Sequence, residues 1–264
     1  MDFEALNKKI LPPDAQAEKA AWAHWDGIAK PLRGLGRLEE AVVRIAALTG
    51  SEEVELGKRA VLVLCADNGV VAEGVTQTDA SVTATMAGEI AKHRSSVCRM
   101  AARAGADVFA IDIGMNRRVE GVRDCHAADG TQNMTKGPAM TRAQAEQAIQ
   151  TGMELARECR DAGYRLLATG EMGIGNTTTS SAVAAALSGC AVDEITGRGA
   201  GLSDAGLLRK RQVITEALQK YEFGKDETLR ILSTVGGLDI AGLAGVFIGG
   251  ALYQIPVVLD GVIS

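Results

Sequence analysis

Aromatic side chains are scarce in this sequence: 2 Trp, 3 Tyr and 4 Phe among 264 residues, while 31 residues are glycine and alanine is abundant. Small residues let helices lie close against a sheet. The shortage therefore favours helices packed on parallel strands. Basic charge is not in excess either. Lys and Arg total 28 against 33 Asp and Glu, a net charge of -5 with no basic stripe, which argues against a nucleic-acid partner. The histidines, His24, His93 and His126, lie far apart and lack ligand spacing, so no metal site is expected. Cys65, Cys98, Cys125, Cys159 and Cys190 include no C-x-x-C pair. An odd number without a secretory signal reads as reduced cytoplasmic thiols, each most simply a small buried hydrophobe. Asp2 and Glu4 stand where a signal would be apolar. The apolar stretch from Ile240 to Tyr253 is too short and too glycine-rich to span a membrane. What is left is a chain with 47% hydrophobic residues, long enough for one large domain or one domain with a small appendage.

The most informative stretch is Gly170-Glu171-Met172-Gly173-Ile174-Gly175-Asn176-Thr177-Thr178-Thr179. A short apolar run, Tyr164 to Thr169, precedes it and reads as a buried strand; an Ala-rich helix over Ser180 to Leu187 follows. A glycine loop between strand and helix suits a phosphate, because glycines allow close approach and the helix start offers free N–H groups. Gly170 and Gly175 have the outer spacing of a P-loop, but Asn176 stands where its lysine belongs. Gly173-Ile174-Gly175 begins a dinucleotide fingerprint, with Thr178 in place of its last glycine. The pattern points to a phosphate cradle for neither ATP nor NAD; the plainer alternative is a strand-to-helix turn.

Along the chain, Asp14 caps a helix to Ile28 with Trp22 and Trp25 on one face, and Arg37 to Leu48 forms a second, closed by Gly50. Residues 1–55 are expected to form a small N-terminal helical appendage to an α/β domain over 56–264. Strands are expected at Ala60–Cys65, Asp107–Ile113 and Ile255–Leu259, with a short extra one within Gly121–Ala127. Helices are expected at Asp79–Ala102, from Thr141 with a capping box to about Ala162, after Ser203, from Asp226 to Val235, and over Leu238–Tyr253 beyond a Gly236-Gly237 break. The alternation predicts a three-layer, Rossmann-like parallel sheet with helices on both faces. Ligands then sit at the carboxyl ends of the strands, where Asp67, Asp112, Glu171 and Asp260 fall. Each acid has an alternative use, capping a helix or tying down a loop. Lys210, after a second glycine loop at Gly197-Arg198-Gly199-Ala200-Gly201, reads either as a ligand or as a solvated helix lysine between Arg209 and Arg211.

Several motifs, taken in order, resemble the nicotinate-nucleotide–dimethylbenzimidazole phosphoribosyltransferase family almost end to end. They are Lys30-Pro31 through Gly36-Arg37-Leu38-Glu39, Asp67-Asn68-Gly69-Val70 with Glu73-Gly74-Val75, Gly130-Thr131-x-Asn133-Met134, Gly137-Pro138-Ala139-Met140, Gly170 to Thr178, Gly197-Arg198-Gly199, Gly236-Gly237-x-Asp239-Ile240-Ala241, and Pro256 to Gly261. The resemblance implies transfer of 5-phosphoribosyl from nicotinate mononucleotide to a benzimidazole-type base, without cofactor or metal, in a cytoplasmic homodimer. It implies phosphoribosyl binding by Gly173, Ile174, Gly175, Asn176, Thr177, Arg198, Gly199, Lys210, Gly236, Asp239, Asp260 and Gly261. Glu171 would stabilise charge at the ribose, and Asp67, Gln77, Thr85 and Met86 would form the acceptor-base pocket. Asn68 stands where the family usually has histidine, and Asp239 where it has glutamate. The family's general-base glutamate is expected beyond Ser264. The sequence is thus expected to be truncated or degenerate relative to the family, and a nucleotide binder without catalysis is the alternative to an enzyme.

Overall fold

A computed structural model describes residues 1–224 and 227–264. Among the described residues, five parallel strands form one sheet in the order β3-β2-β1-β4-β5. They are β1 (Arg59–Ala66), β2 (Ala106–Gly114), β3 (Arg123–Asp124), β4 (Leu166–Met172) and β5 (Val257–Val258). β1 is central, apolar from Ala60 onward and buried over Leu62–Ala66. Its alternation assigns the faces. Leu62, Leu64 and Ala66 join Ile111, Ile113 and Leu167 in one core, under α6 (Arg142–Asp161) and α11 (Leu238–Leu252). Val63 and Cys65 point the other way, toward α4 (Ser81–Ala91) and α5 (Ser96–Arg103).

α6 and α11 touch through glycines. A Cβ on Gly245 would overlap the carbonyl oxygen of Ile149, and one on Gly152 would overlap that of Gly242. This backbone-to-backbone contact is what the wealth of small residues makes possible. The opposite face is covered less evenly. An apolar groove of about 530 Å³ runs between α5 and the β5 edge, over Val61, Leu166 and Ala168, beside the exposed Met100 and Leu259. A further core, with Val70, Ala182, Val213, Ile214 and Ile231, lies beyond the strand ends among α7 (Asn176–Ser188), α9 (Asp204–Tyr221) and α10 (Thr228–Val235).

The N-terminal helices α2 (Ala15–Gly27) and α3 (Arg37–Thr49) pack through Ala21, Val43 and Ala46, and Asp14 and Gly50 cap them as expected. The loop between them folds back, with the Arg33 guanidinium 3.4 Å from the Trp22 ring centre and Lys30 paired with buried Glu39 at 2.8 Å. The capping box at Thr141 and the Ser203 cap also form.

Some boundaries differ. The single helix expected over Asp79–Ala102 is two, α4 and α5, because His93 adopts a left-handed φ of 54° and Ser95 starts a new helix by accepting the Cys98 N–H. The last strand pairs only at Val257 and Val258 rather than over Ile255–Leu259. α7 begins at Asn176, four residues before the expected Ser180, so the threonines are helical. Three short elements escape the sequence reading: α1 (Phe3–Asn7), α8 (Val192–Ile195) and a 3-10 helix at Gly69–Glu73. Asp226, the expected cap of α10, lies outside the described residues.

Candidate active site

The sheet order reverses between β1 and β4, and a crevice opens there at the carboxyl ends of the strands. β4 delivers the glycine loop. Gly175 takes φ 96°, a left-handed conformation, and a Cβ there would lie 2.9 Å from Val71 Cγ2. Only glycine makes this turn without strain. The turn swings the chain directly into α7, whose first residues Asn176 and Thr177 line the crevice at the positive end of the helix dipole, while the Asn176, Thr178 and Thr179 N–H groups bond back to the Gly173 and Gly175 carbonyls. From α4, the Thr83 hydroxyl accepts the Ile174 N–H at 3.1 Å and fixes the loop from behind. A cavity of about 110 Å³ results, lined by Gly173, Ile174, Gly175, Asn176 and Thr177, by Val75, Thr76, Gln77 and Thr78, and by Arg198, Ala200 and Leu202.

The second glycine loop forms the far wall. The Gln77 amide donates to the Gly201 carbonyl, and a Cβ on Gly199, at φ 56°, would lie 2.8 Å from Thr177 Oγ1. Arg198 donates to the Leu202 carbonyl at 2.9 Å and pairs with Asp204. Lys210 is not a solvated helix lysine. It is 1% exposed, and its ammonium donates to Thr177 Oγ1 at 2.8 Å and to the Gly197 carbonyl at 3.1 Å. These partners are neutral, and burial pushes the amine down to about 8. Its neighbours are engaged too. Arg209 pairs with Glu73 at 2.6 Å, and Glu73 accepts from Asn133 at 2.7 Å and Thr135 at 2.8 Å, which pins the chain leading to Gln77. Arg211 lies 3.4 Å from Asp193.

The strand-end acids have different fates. Asp112 is 2% exposed, accepts the Met115 N–H at 2.7 Å and pairs with Arg118 at 2.8 Å; it ties down the turn after β2. Asp67 accepts the Asn116 N–H at 2.8 Å through Oδ2, leaving Oδ1 without a partner, and burial raises its pKa. Glu171 accepts from the Asn176 side-chain amide; burial raises its pKa most, Asn176 opposes this, and the Asp260 charge adds to the rise. Asp239 is fully buried in the first turn of α11, behind Gly173.

Of the residues the sequence singles out, Gly173 to Thr177, Gln77 and Arg198 line one cavity, with Lys210 and Gly199 against Thr177. Glu171, Asp239 and Asp260 group beside it. Asp67, Thr85, Met86, Gly236 and Gly261 are not among its lining residues. Thr85 points outward and donates to the Ser81 carbonyl at 3.1 Å, while Gly236 closes α10. Thr83 escapes the sequence reading. Its signal is periodicity: it falls on the buried face of α4 with Ala87, one turn on, whereas Thr85 does not.

Comparison with known proteins agrees with this geometry. A family model described as phosphoribosyltransferase matches residues 10–264. The nicotinate-nucleotide–dimethylbenzimidazole phosphoribosyltransferase of Clostridium acetobutylicum is 42% identical over 266 residues, covering 100% of this chain and 76% of that protein. Its Chloroflexus aggregans counterpart is 45% identical over 258 residues, covering 97% and 73%. The crystal structure of the Thermus thermophilus enzyme of the same name superposes with a TM-score of 0.87 at 37% identity, over 95% of this chain and 75% of that one. Fold, loops and sequence agree, and the chain belongs to the nicotinate-nucleotide–dimethylbenzimidazole phosphoribosyltransferase family.

Proposed function

We propose that this chain moves the 5-phosphoribosyl group of nicotinate mononucleotide to 5,6-dimethylbenzimidazole or a related base, giving α-ribazole 5′-phosphate and nicotinate for cobalamin biosynthesis. The carrying observation is the convergence of two glycine loops, the start of α7 and the buried Lys210 ammonium on one small cavity. All of these attract an anion, and none needs a bound cation to do so. The donor phosphate sits against Gly173, Ile174, Gly175, Asn176 and Thr177, with Arg198, Gly199 and Lys210 opposite. The acceptor base enters past Gln77, which lines the cavity, rather than against the outward-pointing Thr85.

The C1′–N bond to the pyridinium breaks, and its electron pair stays with nicotinate. The lone pair of the acceptor's unprotonated ring nitrogen bonds to the opposite face of C1′, and the proton on its other ring nitrogen then passes to water. Positive charge builds on the ribose between these events. Glu171, supported by Asp239, Asp260 and the Gly236 and Gly261 segments, is the carboxylate that answers it.

The test is to mix the protein with nicotinate mononucleotide and 5,6-dimethylbenzimidazole and look for the product by mass and chromatography. No product removes the transferase reading. Gly175→Asp places a side chain and a negative charge in the cradle, and calorimetric titration should then show donor binding lost. Equal affinity in wild type and variant would take the donor away from this loop. We place the reaction in the cytoplasm and in a homodimer. The free thiols and the exposed Leu32, Leu35 and Leu38 beside α3 support that placement. Light scattering that reads the monomer mass would remove the dimer.

A further inference from the structure

Glu171, Asn176 and Asp239 meet where β4, α7 and α11 converge. Asp239 has none of its surface exposed. Its Oδ1 accepts the Ile240 N–H at 3.0 Å, and Oδ2 has no hydrogen-bond partner among the described residues. Backbone walls it in: a Cβ on Gly173 would lie 2.6 Å from Oδ2, and one on Gly237 would overlap Oδ1. The groups that face it are known from every side. β4 brings Glu171, α7 the Asn176 amide, and the end of β1 the Asn68 amide. Cys65 of β1 is a neutral thiol, pushed up to about 12 by burial. Asp260 acts on Glu171 from beyond β5. Among the described residues, none of the groups acting on Asp239 is a cation.

Two carboxyls with amides between them and no cation hold one proton between them rather than two charges. Burial decides where it sits. Asp239 is pushed up to about 7, first by burial and then by the Glu171 charge; the Ile240 N–H and the Asn176 and Asn68 amides oppose this without outweighing it, and at Glu171 the Asn176 N–H likewise works against the rise. The same Asn176 is the first residue of α7 and lines the phosphate cavity. It is thus the physical link between the hidden acid and the site.

We propose that Asp239 is a positioning residue for phosphoribosyl transfer: kept neutral in its backbone pocket, it sets the Asn176 amide against Glu171, so that Glu171 presents the one negative charge toward the ribose. The inference rests on the transferase reading above. Once Asp239 also ionises, its charge repels Glu171 and draws the Asn176 amide toward itself. Turnover by the wild type should therefore fall as pH rises through about 7.

The experiment compares wild type, Asp239→Ala and Asp239→Asn with nicotinate mononucleotide and 5,6-dimethylbenzimidazole across pH. Asp239→Ala should lower kcat roughly 10–100-fold through misplacement of Glu171, with donor KM within about twofold. Asp239→Asn, a neutral isostere, should recover much of that loss and should lack the fall near neutral pH. A merely structural Asp239 would lower Tm in both variants and leave the shape of the pH profile alone. Infrared titration guards against misfolded variants. Wild type should show a protonated-carboxyl band at acid pH that disappears as pH rises through about 7, and Asp239→Asn should lack it. Absence of that band in wild type, or a wild-type pH profile in Asp239→Asn, overturns the inference. Absence of product from wild type overturns the transferase reading instead.

Discussion

Lys210 carries a positive charge enclosed by a hydroxyl and a carbonyl, with no carboxylate among the described residues to balance it. A phosphate in the adjoining cavity supplies the missing charge and favours the protonated amine. Donor affinity should therefore weaken as pH rises through about 8, where the free amine loses its proton. Calorimetry in buffers of different ionisation enthalpy should show proton uptake on binding at that pH, and Lys210→Met should abolish both effects. A flat affinity profile would detach Lys210 from the donor. Stability carries the same signature. Burial holds the folded-state amine near 8, below its ordinary 10.5, so between these values the unfolded chain binds more protons. Stability should rise with pH across that window, and Lys210→Met should lose this slope. None of this is legible in the sequence, where Lys210 stands between Arg209 and Arg211 like any solvated helix residue. Its burial comes from a loop at Gly197–Gly201 folding over the helix that follows, a contact that residue spacing does not reveal. Gly173 and Gly175 are legible for the opposite reason, because a backbone that must approach a ligand or turn left-handed admits little else.

Among the elements, β1, β4, α6 and α11 are written plainly in runs of apolar residues and in their caps. The joints are not. The helical pattern runs on through His93, where a left-handed residue followed by the Ser95 cap separates α4 from α5. Within α4, buried Thr83 faces the glycine loop. Thr83→Val keeps the shape and removes the acceptor of the Ile174 N–H. An unsatisfied buried N–H costs about 1–3 kcal/mol, and donor affinity should fall with the loosened loop. Chemical denaturation and a donor titration check the two effects; unchanged values in both would show that the loop holds itself. The early start of α7 was hidden because β-branched threonines are weak helix formers, and here the crevice rather than propensity fixes the helix. At the α6–α11 crossing, Gly245→Ala pits two terms against each other. Helix propensity favours alanine by about 1 kcal/mol, but a methyl group overlapping the Ile149 carbonyl forces the backbones apart. Overpacking of this kind typically costs roughly 1–3 kcal/mol, more where backbone must move, so the variant should melt at a lower temperature. A higher Tm would mean that the helices separate easily.

For the whole molecule, strand alternation made the parallel sheet and its helical layers legible, and the strand ends gave the edge where the site lies. The strand order was out of reach, because order is decided by which faces the crossovers cover. So was the uneven cover of the sheet. The groove between α5 and the β5 edge leaves apolar strand surface beneath open space on one side, while α6 and α11 cross in backbone contact on the other, with a smaller cavity of about 170 Å³ beside Leu155 and Tyr164. The sheet therefore has a built-in order of opening. β1, hydrogen-bonded to neighbours on both sides, should release its amides to solvent deuterium last, and β5, paired over two residues, should release them first. Mass spectrometry of peptides after timed exchange reads that order directly, and equal protection of β1 and β5 would show that the sheet opens as one unit. The crevice lies between these extremes. Glu171 sits on β4, whose one neighbour is the best-protected strand and whose other neighbour is the least protected. Small excursions at the outer edge are thus free to change the reach of one carboxylate while the inner strand keeps its register.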